Sequence, residues 1–138
     1  MKYEITKNDL DNYTLKYKDK EFNYKTDIEL LKKLQEAPKL ARQEMIMDLA
    51  TKGMSLKQLT IEEKKNGKTY FDNTNRTELE NTYIQNKTLE ILNDSCKEKF
   101  GLNLLELTLD VDFDTQEEQE KFINDLTASL MGKTPSGR

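Results

Sequence analysis

Apolar residues recur at two different spacings along this chain of 138 residues, and the two spacings belong to different secondary structures. Between Tyr13 and Lys25 they alternate with polar residues, which places one set of side chains on one face of a strand. From Asp27 onward most of them recur every three or four residues, as on one face of a helix. We therefore expect an α+β fold in which one or two small β-hairpins pack against three to four α-helices.

The length suits one domain, and the composition limits the size of its core. Apolar residues make up 35% of the chain and charged residues another 35%. We expect a single α+β domain over residues 1–133. The segment 134–138 carries no apolar anchor, so we expect it to be a flexible tail.

The first predicted hairpin turns at the polar segment 18–20. Period-two alternation on either side of this turn gives the hairpin one buried face. The side chains predicted on that face are Tyr13, Leu15, Tyr17, Phe22 and Tyr24.

The second predicted hairpin turns at Asn66-Gly67, because a type I′ turn needs positive φ at both central residues. This turn pairs Glu63 with Tyr70 and Ile61 with Asp72, and the two hairpins could share one small sheet. The alternative is a helix over 56–65, since Thr60 and Glu63 have the spacing of a capping box.

Two helical regions are predicted before residue 102. Asp27 is the expected N-cap of the first, Pro38 is expected to interrupt it, and Gly53 to end it. Its predicted inward residues are Ile28, Leu30, Leu31, Leu34, Ala41, Met45, Ile46 and Leu49. The second helix is predicted from residue 75 or 77 to about Lys99. Its predicted inward residues are Leu79, Tyr83, Ile84, Leu89, Ile91, Leu92, Cys96 and Phe100.

The segment 102–113 supports two interpretations. Its leucines alternate as in a strand, but Leu104-Leu105 could also begin a short helix. A final helix is predicted from residue 114 or 115, with Thr115 and Glu118 forming a capping box. A terminal helix can leave its domain more easily than an internal one. We therefore predict that this helix and the residues before it supply a self-association or client-binding surface. The residues of this predicted surface are Val111, Phe113, Phe122, Ile123, Leu126 and Leu130. The alternative is that they close the core.

The composition argues against an enzyme, a metal site or any other cofactor site. The chain has no histidine, so the Ser-His and Cys-His nucleophile systems are excluded, and the single Cys96 is expected to be a buried apolar residue. Asp110, Asp112 and Asp114 are the best candidates for a cation, but Thr115 stands where a calcium loop needs glycine. We interpret these acids as a solvated face and as the acidic start of a helix.

Charge and hydropathy exclude two further classes of partner. The net charge is −4, and acidic residues interrupt both lysine runs, so no basic stripe for nucleic acid is expected. No apolar run approaches the length of a membrane span, and the first residues lack the apolar segment of a signal peptide. We expect a cytoplasmic protein.

Taken in order, the segments resemble a phage tail assembly chaperone of Gram-positive siphophages. The resemblance rests on 17–24 followed by 27–34, on Lys52-Gly53-Met54-Ser55, on Asn66-Gly67-Lys68-Thr69-Tyr70, on the acidic segment 110–114 before the last helix, and on Met131-Gly132-Lys133. It implies a non-enzymatic protein of virion morphogenesis that binds the tape-measure protein and recruits tail-tube subunits. Homo-oligomerisation is compatible with such a role.

An alternative function is a small phage- or plasmid-encoded inhibitor that blocks a host or defence protein through an acidic surface. Such an inhibitor also needs no catalytic residues. Basic residues dilute the acids everywhere except over 110–120, which limits the surface available for this role.

Overall fold

A computed structural model describes residues 2–133, and the predicted tail at 134–138 lies outside the described residues. The fold is α+β, with a three-stranded and a two-stranded antiparallel sheet and four α-helices. The chain, for which one domain is predicted, divides into two compact units. Unit 1 comprises Met1–Lys33 and Glu90–Arg138, and unit 2 comprises Leu34–Leu89.

Unit 1 contains an antiparallel sheet of three strands in the order β1-β2-β3. These strands are β1 (Tyr3–Lys7), β2 (Asn12–Tyr17) and β3 (Lys20–Lys25). The predicted hairpin is confirmed as β2 and β3, with Tyr13 opposite Tyr24. The sequence analysis missed β1, which pairs along β2 with Tyr3 opposite Tyr17.

One face of this sheet is covered by the C-terminal part of the chain. Tyr3, Tyr13, Leu15, Tyr17 and Tyr24 are buried on that face. Helix α3 (Leu104–Val111) and helix α4 (Gln116–Leu130) belong to the same unit, and α4 lies against β1. Thr115 caps α4 by accepting a hydrogen bond from the backbone N–H of Glu118, which is one of the two bonds of the predicted capping box.

Helix α1 (Leu30–Thr51) runs without a break through Pro38, which corrects the predicted interruption. Proline removes one backbone hydrogen bond and crowds the preceding turn. A stripe at four-residue spacing continues across the proline, and its burial keeps both segments in one helix. The buried residues of this stripe are Ala37, Ala41, Met45 and Leu49, and Leu30 is buried at the helix start.

The C-terminal end of α1 follows the sequence signal, since Gly53 ends the helix with a φ of 72°. The predicted N-cap is corrected: the Asp27 carboxylate accepts a hydrogen bond from the backbone N–H of Glu29 in a turn, and the helix begins only at Leu30. Three residues predicted to face inward, Ile28, Leu31 and Ile46, are instead exposed. Ile28 precedes the helix, and Leu31 and Ile46 do not lie on the four-residue stripe.

Helix α2 (Thr74–Phe100) begins just before the predicted start, and Gly101 ends it in the left-handed region. Its buried residues lie only in the C-terminal part, within unit 1, and are Leu92, Ser95, Cys96 and Phe100. Leu89 was predicted to face inward, but half of its surface is exposed. The N-terminal part of α2 therefore contributes half-buried rather than fully buried residues to unit 2.

The second hairpin is confirmed in unit 2 as β4 (Ile61–Lys65) and β5 (Lys68–Asp72). Its register is the predicted one, with Glu63 opposite Tyr70. The two hairpins do not share a sheet, which corrects that part of the prediction, because β4 and β5 pair only with each other among the described strands. The alternative helix is limited to a short 3-10 turn, Leu56–Leu59.

The ambiguous segment is helical, so the strand interpretation of 102–113 is wrong. Leucines at every second position also supply an inward stripe at helical spacing. The buried residues of α3 are Leu104, Leu107, Thr108 and Val111. Asn103 and Glu106 form a reciprocal capping box at its start, which favours the helix locally.

None of the helices within residues 2–133 combines the length and the apolar character that a bilayer crossing requires.

Leu107 and Leu109 distinguish the helix from the strand by experiment. In a strand both side chains would share one face, whereas in α3 Leu107 is fully buried and Leu109 is 69% exposed. Leu107→Ala should lower the free energy of unfolding by about 2–5 kcal/mol, and Leu109→Ala by no more than about 0.5 kcal/mol. Chemical denaturation of both variants measures the difference. Equal losses would contradict the helical assignment.

Candidate protein-binding surface

The six residues predicted to bind a partner lie together in unit 1, but most of them are not accessible. Val111, Phe122, Leu126 and Leu130 are buried in its core. Phe113 and Ile123 are partly exposed, and the Phe113 ring packs against Phe122 with centroids 5.2 Å apart. For the four buried side chains the structure shows the alternative arrangement, in which the stripe closes the core.

Four tyrosine hydroxyls of the sheet bond to the C-terminal segment and hold it in place. Each hydroxyl reaches a different partner: Tyr3 donates to Asp125 at 2.7 Å, Tyr17 to Asp110 at 2.7 Å, Tyr13 to the Lys133 carbonyl at 3.2 Å, and Tyr24 bonds Ser129 at 2.7 Å. The Ser129 hydroxyl donates its only proton to the Leu126 carbonyl, so Tyr24 is the donor in the last pair. We call these four bonds the tyrosine clasp.

Burial changes the pKa values of tyrosine hydroxyls in the clasp. It raises the pKa of Tyr3 and Tyr17 above the usual value for tyrosine. The carboxylates of Asp125 and Asp110, which accept hydrogen bonds from these hydroxyls, add to the shift. Burial also raises the pKa of Tyr24. The hydroxyls of Tyr3, Tyr17 and Tyr24 therefore stay protonated donors. The clasp holds α4 against the sheet rather than leaving it free to bind a partner.

Two of the acidic residues considered for a cation, Asp110 and Asp114, have partners within the protein. Asp110 bonds to Lys20 as well as Tyr17, and Asp114 forms an ion pair with Lys2 at 3.1 Å. The backbone of Asp112 ends α3 in the left-handed region, with a φ of 64°. Across residues 2–133, no three acidic or cysteine side chains come together as a metal site would require.

Cys96 is buried in α2, as predicted. Burial raises the pKa of its thiol to about 12. A thiol with that pKa is protonated at neutral pH and is a poor nucleophile.

Unit 2 differs from unit 1 in leaving half of its large apolar side chains exposed. Its buried apolar residues are the four of the α1 stripe, two of which are alanines. Its exposed large apolar residues are Leu40, Ile46, Met47, Met54, Ile61, Tyr70, Phe71 and Leu89. A contiguous patch of exposed apolar groups marks an interaction surface, so these residues are the candidates for one in this unit.

Polar contacts hold the two helical parts of unit 2 together. Arg42 and Lys87 form ion pairs with Glu80 and Glu44, respectively. The Tyr83 hydroxyl donates to the Asp48 carboxylate at 2.6 Å, which raises the tyrosine pKa. These contacts position the exposed side chains of α1 without a large apolar core.

Leu40 and Met47 are the most regular part of this exposed set. They are seven residues apart in α1, so they lie on the same side of the helix, about 10 Å from each other. Met47 is 69% exposed. We call Leu40 and Met47 the α1 outer face. The sequence analysis did not single them out, although their seven-residue spacing, offset from the buried alanines, was a visible signal.

Comparisons with protein-family models, with curated proteins and with solved structures found no match to this chain.

The Asp110 contacts predict a pH-dependent contribution to stability. Hydrogen bonds from Lys20 and then Tyr17 hold the pKa of Asp110 below its ordinary 3.8. Because the folded pKa is the lower one, the contribution is complete above about pH 4 and is lost as the pH falls through the folded pKa. The melting temperature of the wild type should exceed that of Asp110→Asn at pH 6, and the difference should shrink toward pH 2. Thermal melts across this range test it, and a difference that stays constant would contradict this assignment.

Proposed function

We propose that this chain is a non-enzymatic phage tail assembly chaperone that binds the tape-measure protein and recruits tail-tube subunits. The observation that carries the proposal is the unequal distribution of exposed apolar residues, which are concentrated in unit 2. A chaperone must offer apolar surface to its client and still have a core that folds without the client. Unit 1 supplies such a core, and unit 2 supplies such a surface.

The α1 outer face suits a helical client. Apolar anchors at seven-residue spacing match the repeat that an amphipathic helix presents along one side. Methionine adapts its shape to different partners because its side chain is unbranched and flexible, and Met47 supplies that property at the more exposed end of the pair. Glu36 and Lys39 lie exposed near Leu40, and such charges limit non-specific association.

The acidic-inhibitor alternative has weaker support. Lysines pair with Asp110 and Asp114, which reduces the negative field of the 110–114 segment. An inhibitor that mimics nucleic acid needs an array of unpaired carboxylates.

The chaperone proposal predicts that exposed apolar residues of unit 2 keep the client soluble. We expect the protein to raise the soluble fraction of the tape-measure protein encoded beside it when the two are co-expressed. The double variant Leu40→Asp, Met47→Asp should lower that fraction several-fold, because two charges on the outer face oppose burial by the client. Both side chains are exposed, so the variant should keep a cooperative thermal melt.

Leu109→Asp is the matched control, because Leu109 in unit 1 is as exposed as Met47, at 69%. It should leave client solubility unchanged. Equal effects of both variants would show that the α1 outer face is not the binding surface. No effect of the wild-type protein on its neighbour would contradict the chaperone function itself.

A further inference from the structure

The β4–β5 hairpin is a sheet of only two strands among the described residues, so each strand has an unpaired edge. Every residue of both strands is exposed, and no third strand within residues 2–133 pairs with either edge. A two-stranded hairpin is only marginally stable in water, and an unpaired strand edge is a template for another strand. The two edges of this hairpin differ in what they could pair with.

The turn fixes which backbone groups of β5 point outward. Lys65 and Lys68 flank a two-residue turn, so they form a hydrogen-bonded pair, and the pairs alternate from there along the ladder. Lys68, Tyr70 and Asp72 therefore bond to β4. The N–H and C=O groups of Thr69 and Phe71 point to the free edge.

A second copy of β5 fits this edge in one antiparallel register. A twofold axis at Tyr70 places Thr69 opposite Phe71 of the second copy and brings together the groups that point outward. In this register Lys68 of each copy lies opposite Asp72 of the other copy. Both cross-strand pairs have opposite charges, and the two Tyr70 rings face each other at the axis.

The free edge of β4 lacks this self-complementarity. Its outward groups belong to Glu62 and Lys64, so the corresponding twofold axis lies at Glu63. That axis places the two Glu63 carboxylates directly opposite each other and sets Ile61 against Lys65. Like charges directly opposite each other destabilise a strand pair. The charge pattern therefore selects β5 over β4.

Asp72 is available for the pairing in its charged form. Its carboxylate accepts hydrogen bonds from the backbone and hydroxyl of Thr74, which lower its pKa and fix its position at the start of α2. The residue is exposed, so the carboxylate keeps acceptor capacity for a lysine.

We propose that two copies of this chain associate through β5, forming a four-stranded antiparallel sheet in the order β4-β5-β5-β4 with the twofold axis at Tyr70. The pairing adds about four backbone hydrogen bonds, two for each pair of Thr69 with Phe71. It places the two Tyr70 side chains together on one face and brings the two Phe71 side chains within diagonal reach on the other. These two aromatic residues, 50% and 65% exposed in the single chain, are covered by this association. The association does not require the tape-measure protein.

Sedimentation velocity over a concentration series tests the association with charge variants. The wild type should show a monomer–dimer equilibrium. Lys68→Glu should weaken dimerisation about tenfold or more, because both pairs with Asp72 become repulsive. Within one chain the same change places a glutamate opposite Lys65, which favours the hairpin, so a weaker dimer would not come from a weaker hairpin. Lys65→Glu is the matched control, with the same charge change on the strand that does not face the second copy, and it should leave dimerisation unchanged.

Disulfide trapping tests the register. Residues opposite each other in a non-hydrogen-bonded pair have Cα atoms about 4.5 Å apart, within the range of a disulfide. Tyr70→Cys should give a covalent dimer on mild oxidation, whereas Phe71→Cys, which is diagonal to its counterpart, should give little. Cys96 is buried, so the wild type under the same oxidation provides the background level.

A monomer at all concentrations would overturn the proposal. A dimer that Lys68→Glu leaves intact, or that Tyr70→Cys does not trap, would place the interface elsewhere and overturn it equally. None of these measurements uses the tape-measure protein. The dimer can therefore be disproved while the chaperone function is supported, and the chaperone function can be disproved while the dimer is supported.

Discussion

The tyrosine clasp is the interaction on which unit 1 depends. Four hydroxyls on one face of a three-stranded sheet bond to groups on α3, on α4 and just beyond α4. Each tyrosine buries an aromatic ring and satisfies its one polar atom across the interface, so the sheet gains apolar contact without an unpaired donor. The clasp therefore holds α3 and α4 against the sheet. A separate bond from the backbone N–H of Asp27, three residues before α1, to the Leu130 carbonyl joins that segment to the end of α4.

This arrangement determines which apolar residues remain for binding. The stripe of α4, from Phe122 to Leu130, is buried beneath the clasp, and a partner could reach it only if unit 1 opened. Unit 2 buries two alanines, one methionine and one leucine from α1, and ion pairs hold its helical parts together. Half of its large apolar side chains remain exposed. In the proposed function, the buried core of unit 1 lets a chain with few apolar residues fold, and the exposed apolar residues of unit 2 form the binding surface.

Sequence patterns predicted the fold where one local signal dominated. The Asn66-Gly67 turn fixed its hairpin register, because few other residues adopt positive φ so readily. Sequence patterns did not predict the features that depend on contacts between residues far apart in the chain. The strand β1 is recognisable only through its pairing with β2, and the clasp joins residues about a hundred positions apart. Pro38 does not break α1, because tertiary burial outweighs a local cost. Spacing alone could not distinguish an apolar stripe that binds a partner from one that closes a core. The binding surface was therefore predicted on α4, where the apolar stripe is buried.

Hydrogen exchange measured by mass spectrometry, on the protein alone and mixed with a tape-measure protein as the client of the proposed function, tests the central claim most directly. That claim is that unit 1 is the scaffold and unit 2 is the binding unit. The account predicts that binding slows exchange in the part of α1 that contains Leu40 and Met47, while exchange in α4 (Gln116–Leu130) stays unchanged. Slower exchange confined to α4, or a loss of protection there that accompanies binding, would contradict the account and assign the binding surface to unit 1.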